Sequence, residues 1–285
     1  MNTRQKRGAV LVTGTSTGIG RTTALHLDRQ GFNVFATVRN EGDAQALCSE
    51  ASDRLVPVLM DVADQDSIER AKEQVTRIVG HAGLAGLVNN AGIGFISPLE
   101  FFPMDEVRRI FEINVFGLLA VTQAFLPLLR QNRGRIVNIS STASIFVMPF
   151  HGPYSASKMA INGISNALRR ELKPLGVQVS MVVCGSISTP IWEKAKALSN
   201  RALGELSTEA MEIYAEHYRK VHEFFFKMGE AGVPPEEVAR KIAHALTAKR
   251  ARHTYYVGPD ATFYKIADRF VYGRLRDWAV SRSIG

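Results

Sequence analysis

The chain has 285 residues, 46% of them hydrophobic, enough for one large domain with its own core. Its net charge of +8 is scattered, with no nucleic-acid module beside it; this argues against nucleic-acid binding and leaves attraction of a phosphorylated small ligand as the functional reading. Two cysteines, Cys48 and Cys184, make neither a disulfide framework nor a metal pattern, no run of about 18 apolar residues predicts a membrane-spanning helix, and the basic start MNTRQKRG lacks a signal peptide's apolar stretch, so a reducing cytoplasm is the expected setting.

Residues 8–13, GAVLVT, read as a buried strand. Gly14, Thr15, Ser16, Thr17, Gly18, Ile19 and Gly20 follow, then a helical stretch closed by Gly31. Strand, glycine-rich turn and helix form a phosphate-binding entry, because backbone can approach a pyrophosphate whose charge meets the helix N-terminus. The spacing is G-x-x-x-G-x-G, and there is no P-loop lysine. Residues 33–38 form a second strand ending at Arg39. No acid stands there to take a ribose 2′-hydroxyl, whereas a guanidinium suits a 2′-phosphate. NADP is therefore expected as the cofactor, with NAD as the alternative.

A third strand over 54–60 leads to Asp61 and Val62. The Asp61 carboxylate can accept from an adenine amino group, or cap the helix predicted over 64–80. A fourth strand over 84–88 runs into Asn89, Asn90, Ala91 and Gly92. Such small and amide residues let backbone lie against a flat cofactor, or simply turn the chain. Residues 105–131 carry one long helical pattern with Asn114 inside it, where an asparagine is ordinarily solvated or bonded to structure.

A fifth strand over 135–139 leads into Ser140 and Ser141, and a helix to about residue 172 carries Tyr154 and Lys158. The last two are four residues apart and share a helix face. A free phenol has a pKa of about 10, and a nearby ammonium lowers it. With Ser141 as a donor, the set suits proton transfer at a carbonyl or alcohol oxygen. No acid and histidine are arranged to make a hydrolase triad. A sixth strand over 177–183 precedes Cys184. Strands alternate with helices throughout, which predicts an α/β fold: a doubly wound parallel sheet that binds ligands at the carboxyl ends of its strands. Residues 14–20, Arg39, Asp61, Asn90, Ser141 and residues 184–189 all fall on that edge.

These motifs together (TGTSTGIG, NNAG, Asn114 within INVFG, and Ser141 with YSASK) resemble the short-chain dehydrogenase/reductase family over about residues 8–258. The resemblance implies a Rossmann fold, a nicotinamide cofactor and a tetrad of Asn114, Ser141, Tyr154 and Lys158. Tyr154 is then the general acid/base and Ser141 stabilises the reacting oxygen. Lys158 lowers the tyrosine pKa and bonds the nicotinamide ribose, while Asn114 organises a helix kink and a proton relay. Ser140 is a second candidate, but the step of thirteen residues back from Tyr154 lands on Ser141, as in the family. Ile187 backbone and the Thr189 hydroxyl would meet the carboxamide. The family's usual Pro-Gly after the sixth strand is Cys184-Gly185 here, a loss of local rigidity, and Cys184 is read as a packed, inert thiol. Homodimers or homotetramers are the expected assemblies.

Residues 191–232 read as an insert in a single domain spanning 1–285. Met211, Tyr214, Tyr218, Val221, Phe225 and Met228 form one apolar helical stripe, expected as a lid over an apolar pocket. Phe95, Met148, Phe150, His151 and Trp192 would extend its wall, with His151 lining rather than catalysing. A hydrophobic carbonyl or alcohol is the expected small-molecule substrate, and VFATVRN with the long C-terminal part resembles the steroid and retinol dehydrogenase branch. A helix over 234–246 and a seventh strand over 254–257 precede a tail over 260–285, amphipathic and basic. Packing of that tail on the domain or a partner subunit is favoured over a membrane surface. The expected activity is an NADP(H)-dependent oxidoreductase. The alternatives are reduction of a carrier-linked 3-oxoacyl group and a non-catalytic dinucleotide sensor; the presence of Tyr154 and Lys158 argues against the sensor.

Overall fold

Short runs of aliphatic and aromatic residues make seven strands: β1 Ala9–Val12, β2 Asn33–Val38, β3 Leu55–Leu59, β4 Gly86–Asn89, β5 Arg135–Ser141, β6 Gln178–Cys184 and β7 Thr254–Val257. The structure, a computed structural model, describes residues 7–189, 207–270 and 273. The strands form one parallel sheet in the order β3-β2-β1-β4-β5-β6-β7. The order reverses between β1 and β4, which places a crevice at the carboxyl ends of those two strands. All seven expected strands are present, and the doubly wound parallel sheet is as the sequence predicts.

Because helices cover both faces, the central strands are apolar on both sides. Successive residues alternate between two cores. Val10, Val12, Val34, Ala36 and Val38 face α1 (Gly18–Arg29), α2 (Glu41–Cys48) and α8 (Pro235–Thr247). Ala9, Leu11 and Phe35 face α3 (Gln65–Val79) and α5 (Gly117–Asn132), whose Val121, Phe125 and Leu129 are buried. A polar ladder crosses the second core. Asn89 Nδ2 donates to Thr122 Oγ1 and to Asn138 Oδ1, both at 2.9 Å, and Asn138 Nδ2 donates to Ser165 Oγ at 2.8 Å.

Four details differ from the sequence reading. Helix α2 was not anticipated; Asn40 starts it by accepting from the Asp43 N–H at 2.9 Å. The pattern over 105–131 is not one regular helix: α4 (Met104–Phe111) passes into α5 through a π-helical turn, Glu112–Phe116, that holds Asn114. Asp61 does not cap α3; Asp64 does, accepting from the Asp66 and Ser67 N–H groups. Among the described residues the stretch Met104–Asn132 is long and apolar enough to cross a membrane, although its apolar residues do not form an unbroken run. Its hydropathy is also what a helix packed under a sheet requires, and 56% of the apolar window is buried.

The expected insert contains α7 (Thr208–Glu230), and the expected tail begins as α9 (Pro259–Phe270). The first part of the insert, with Trp192, and the end of the tail lie outside the described residues. On α7, Tyr218, Val221 and Phe225 are buried, while Met211, Tyr214 and Met228 are half-buried. The stripe packs on Ile96 after β4 and on Phe146, Met148 and Phe150 between β5 and α6 (Gly152–Leu172).

Candidate active site

The glycine-rich turn between β1 and α1 is tied to its neighbours on both sides. The Gly14 N–H donates to Thr37 Oγ1 at 3.2 Å, and the Thr15 N–H and hydroxyl both donate to the Thr37 carbonyl at 2.9 Å. On the β4 side, Thr13 Oγ1 accepts from the Asn90 and Ala91 N–H groups at 2.9 Å. Asn90 Nδ2 returns bonds to the Thr13 and Gly14 carbonyls at 2.9 and 3.1 Å. Two expected ligand residues therefore have structural side-chain duties: the Thr15 hydroxyl is buried on Thr37, and the Asn90 amide braces the turn. Ser16 is half-buried and Thr17 exposed at the start of α1, where Thr17 makes no side-chain cap bond. Ile19 packs its side chain on the first core. Gly20 permits the close approach at the helix start, because a Cβ there would lie 2.1 Å from the Gly14 carbonyl oxygen. Gly14 itself has φ +69° and backs onto Ala91.

Along the same edge, Arg39 is exposed directly after β2 and has no ion-pair partner among the described residues. Asp61 is half-buried after β3, with Oδ1 accepting from the Ala63 N–H at 3.0 Å. The Val62 side chain is in the core and leaves only backbone at the edge. Thr189, after β6, packs close to the turn: its Cβ is 3.5 Å from where a Cβ on Gly18 would be. Ile187 pairs with Val233 as an isolated parallel bridge.

The expected tetrad comes together at the end of β5. Asn114 is 1% exposed, not solvated: its Oδ1 accepts from the Ile93 N–H at 2.8 Å, and its Nδ2 donates to the Ile93 carbonyl and to Ser157 Oγ. Ser157 Oγ in turn donates to the Tyr154 carbonyl at 2.7 Å, so the π-helical turn is pinned to the helix that carries the tyrosine. Gly92 lets these groups close up, since a Cβ there would be 3.1 Å from Asn114 Oδ1 and 3.6 Å from Lys158 Nζ. Lys158 Nζ donates to the Ile139 carbonyl at 3.1 Å and lies 5.6 Å from the centre of the Tyr154 ring.

The two serines separate cleanly. Ser140 is 2% exposed and its hydroxyl donates to Asn162 Oδ1 at 2.7 Å, which removes it from the edge. Ser141 stays at the strand end, where its hydroxyl accepts from the Ala143 N–H at 3.2 Å. Ser144 completes the brace: its hydroxyl donates to the Ser141 carbonyl at 2.6 Å and accepts from Asn162 Nδ2 at 2.9 Å. Ser157, Ser144 and Asn162 were missed by the sequence reading. Ser157 and Asn162 lie three and eight residues after Tyr154 on its helix, a spacing that gives a signal only once Tyr154 is known to matter.

Electrostatics at this point is ruled by burial. Desolvation pushes the Tyr154 phenol up to about 12, although Ser141 pulls it down. Lys158, expected to lower this pKa, is not among the groups that move it here. Desolvation also pushes Lys158 down to about 8. Cys184, 6% exposed, is pushed up to about 12 by burial, against the pull of Lys158. It is a neutral packed thiol, as expected.

An aromatic wall stands beside Tyr154. The His151 ring stacks on the Tyr154 ring, 4.6 Å between centres and 16° between planes, and meets Phe225 of α7 edge-on at 4.9 Å. Phe150 packs against Tyr214, His217 and Tyr218 and is held at φ +64°, a costly backbone for a bulky residue. Its carbonyl accepts from the Ser97 N–H at 3.1 Å. Phe95 stands apart, edge-on to Phe102 at 5.4 Å.

Burial pushes the His151 pKa from 6.5 to about 4. The folded protein therefore keeps this ring neutral while the unfolded chain takes up a proton below 6.5. Stability is expected to fall through this residue as pH drops from about 6.5 to about 4, by on the order of 2 kcal/mol. Melting temperatures of the parent and His151→Phe across that window check this. The variant is expected to lose less stability with acid, and parallel curves would contradict it.

The family model described as short chain dehydrogenase matches residues 8–199. The chain is 35% identical over 272 residues to an NADPH-dependent 3-dehydrocapnine reductase of Ornithobacterium rhinotracheale, covering 94% of each. It is 34% identical to retinol dehydrogenase 5 of Mus musculus, covering 94% of this chain and 86% of that one. It is also 34% identical to 17-beta-hydroxysteroid dehydrogenase type 6 of Bos taurus, covering 96% and 88%. These relatives agree with the expected steroid and retinol dehydrogenase branch. A short-chain dehydrogenase from Streptomyces avermitilis superposes with a TM-score of 0.77 at 27% identity over 98% of both chains. A parallel sheet reversing beside a braced glycine turn, a tyrosine and a lysine gathered at its edge, and relatives matched over nearly their whole length lead to one assignment: the chain belongs to the short chain dehydrogenase family.

Proposed function

We propose that the protein is an NADP(H)-dependent oxidoreductase that interconverts a hydrophobic alcohol and its carbonyl counterpart, of steroid, retinoid or similar lipid-like character. The observation that carries this reading is the position of Tyr154, which has Lys158 Nζ 5.6 Å from its ring centre and His151 stacked on it, on the helix that follows the end of β5 with Ser141. The residues present fit a dinucleotide. Gly14 and Gly20 make a turn into which backbone can approach, Arg39 offers a guanidinium with no ion-pair partner among the described residues, and Thr189 faces the turn from β6. When bound, the nicotinamide supplies or accepts the hydride.

In this reading Ser16, Thr17, Gly18 and Ile19 meet the phosphates, Arg39 the 2′-phosphate and Asp61 with Val62 the adenine. Ala91 and Gly92 back the cofactor, and Ile187 with Thr189 meets the carboxamide. Tyr154 handles the proton, and Ser141 holds the reacting oxygen. Lys158 supplies positive charge beside the phenol and a donor for the nicotinamide ribose. Tyr154 stays protonated across the neutral range, which is the state needed to give a proton to a carbonyl oxygen. Asn114 fixes the helix through Ser157. Helix α7 covers the substrate side as a lid. Its aromatic contacts with Phe150 and His151 favour a lipid-like substrate over a carrier-linked acyl group, for which a polar or basic entrance would be expected. The Ornithobacterium relative, named as NADPH-dependent, supports the cofactor choice.

The test is a panel of hydrophobic ketones, aldehydes and alcohols followed by nicotinamide absorbance, run on the parent and on Arg39→Asp. Turnover of apolar members with NADPH is expected, and Arg39→Asp is expected to shift the ratio of kcat/KM for NADPH over NADH by about tenfold or more towards NADH. No turnover across the panel would reject the substrate class. An unchanged ratio would reject the role given to Arg39.

A further inference from the structure

The turn after β6 lacks the proline that the family carries there, yet it must hold Ile187 and Thr189 in place. Three attachments do this. The Gly185 N–H donates to the Val257 carbonyl at 2.9 Å, which anchors the turn to β7. Val233 grips it next, with its N–H donating to the Ser186 carbonyl at 3.0 Å and its carbonyl accepting from the Ser188 N–H at 2.9 Å. The third comes from Asp260 in the first turn of α9. Its Oδ2 accepts from the Ser186 N–H at 2.7 Å, and its Oδ1 accepts from the Ala261 N–H at 2.9 Å.

The fit is close. A Cβ on Gly185 would lie 2.0 Å from Asp260 Oδ1, and one on Gly258 would lie 2.4 Å from the same atom. Both oxygens accept from backbone N–H groups, so an amide, with one acceptor oxygen, cannot replace the carboxylate. The same strand of backbone runs on to Thr189, which packs beside Gly18. We propose that Asp260 is a positioning residue that holds the 184–186 turn, and through it Ile187 and Thr189, against the glycine turn, so that the nicotinamide end of the cofactor is gripped. This rests on the dinucleotide reading above. It gives the start of the C-terminal helix a role in cofactor binding and supplies the rigidity that Cys184 does not.

Asp260→Asn tests it by equilibrium binding to the intact protein. NADPH and its adenine-side half, 2′,5′-ADP, are titrated separately into parent and variant. The variant is expected to bind NADPH about tenfold more weakly and 2′,5′-ADP within about twofold of the parent, because only the nicotinamide side loses its support. Gly185→Ala, which pushes on the carboxylate without removing it, is expected to show the same split, and the double variant less than the product of the two effects. Equal NADPH affinity in parent and Asp260→Asn overturns the proposal, as does an equal loss for both ligands, which marks a general structural defect. A parent that binds neither ligand instead overturns the dinucleotide reading itself.

Discussion

Tyr154→Phe is expected to lower kcat by about 10³-fold while leaving NADPH affinity within about twofold. The substitution deletes one oxygen and keeps the ring. The stacking on His151 and the helix bond from Ser157 to the Tyr154 carbonyl both survive it. Lys158 keeps its bond to the Ile139 carbonyl, so its Nζ stays where it is. What is lost is the phenol to which the proposed function gives the proton transfer. Steady-state rates and a direct cofactor titration on the same preparation separate the two effects. Full turnover in the variant would sink the assignment of Tyr154, and a parallel loss of cofactor binding would show that the hydroxyl holds the site together instead.

Gly20→Ala is expected to weaken dinucleotide binding by about 100-fold and to lower stability by about 1–3 kcal/mol. A Cβ at this position would meet the Gly14 carbonyl oxygen at 2.1 Å and Asn90 Nδ2 at 2.5 Å. Neither can swing aside. The first is backbone, and the second is bonded to the Thr13 and Gly14 carbonyls. Relief has to come from displacing the turn, to which the proposed function gives the phosphates. Gly163→Ala is the control: it lies within α6 with nothing within 4 Å of its Cβ position, and it is expected to bind as the parent does and to melt slightly higher. Parent-like NADPH binding by Gly20→Ala would contradict the picture of a tightly built cradle.

Much of the fold can be read in the chain because a strand buried on both faces leaves an uninterrupted apolar run, and each such run here is bounded by glycine, proline or polar residues. Ser141, Tyr154 and Lys158 were legible for a related reason: strand end and helix face convert sequence spacing directly into proximity. The π-helical turn at Asn114 was not, since its hydrogen bonds to Ile93 and Ser157 span 21 and 43 residues and leave the apolar period around it intact. Helix α2 is only eight residues long, too short for its period to stand out. Asp260 gave no signal because its partner, the Ser186 N–H, is backbone 74 residues away. Spacing predicts a nearby ammonium, but the cost of burying a phenolate depends on how much protein surrounds it, which spacing does not report.

The amide ladder in the middle of the sheet has a bearing on all of this. Asn89 and Asn138 are directly paired residues of β4 and β5. A slip of either strand by one residue would turn its amide to the opposite face and leave the ladder broken in a dry core, at about 1–3 kcal/mol for each stranded group. The pair therefore acts as a vernier between the two strands. Asn90 lies one residue beyond it and Ser141 three, so locking this register sets the relative height of the glycine-turn brace and Ser141. The alignment between the glycine turn and Ser141 is in this way kept by two buried amides inside the core.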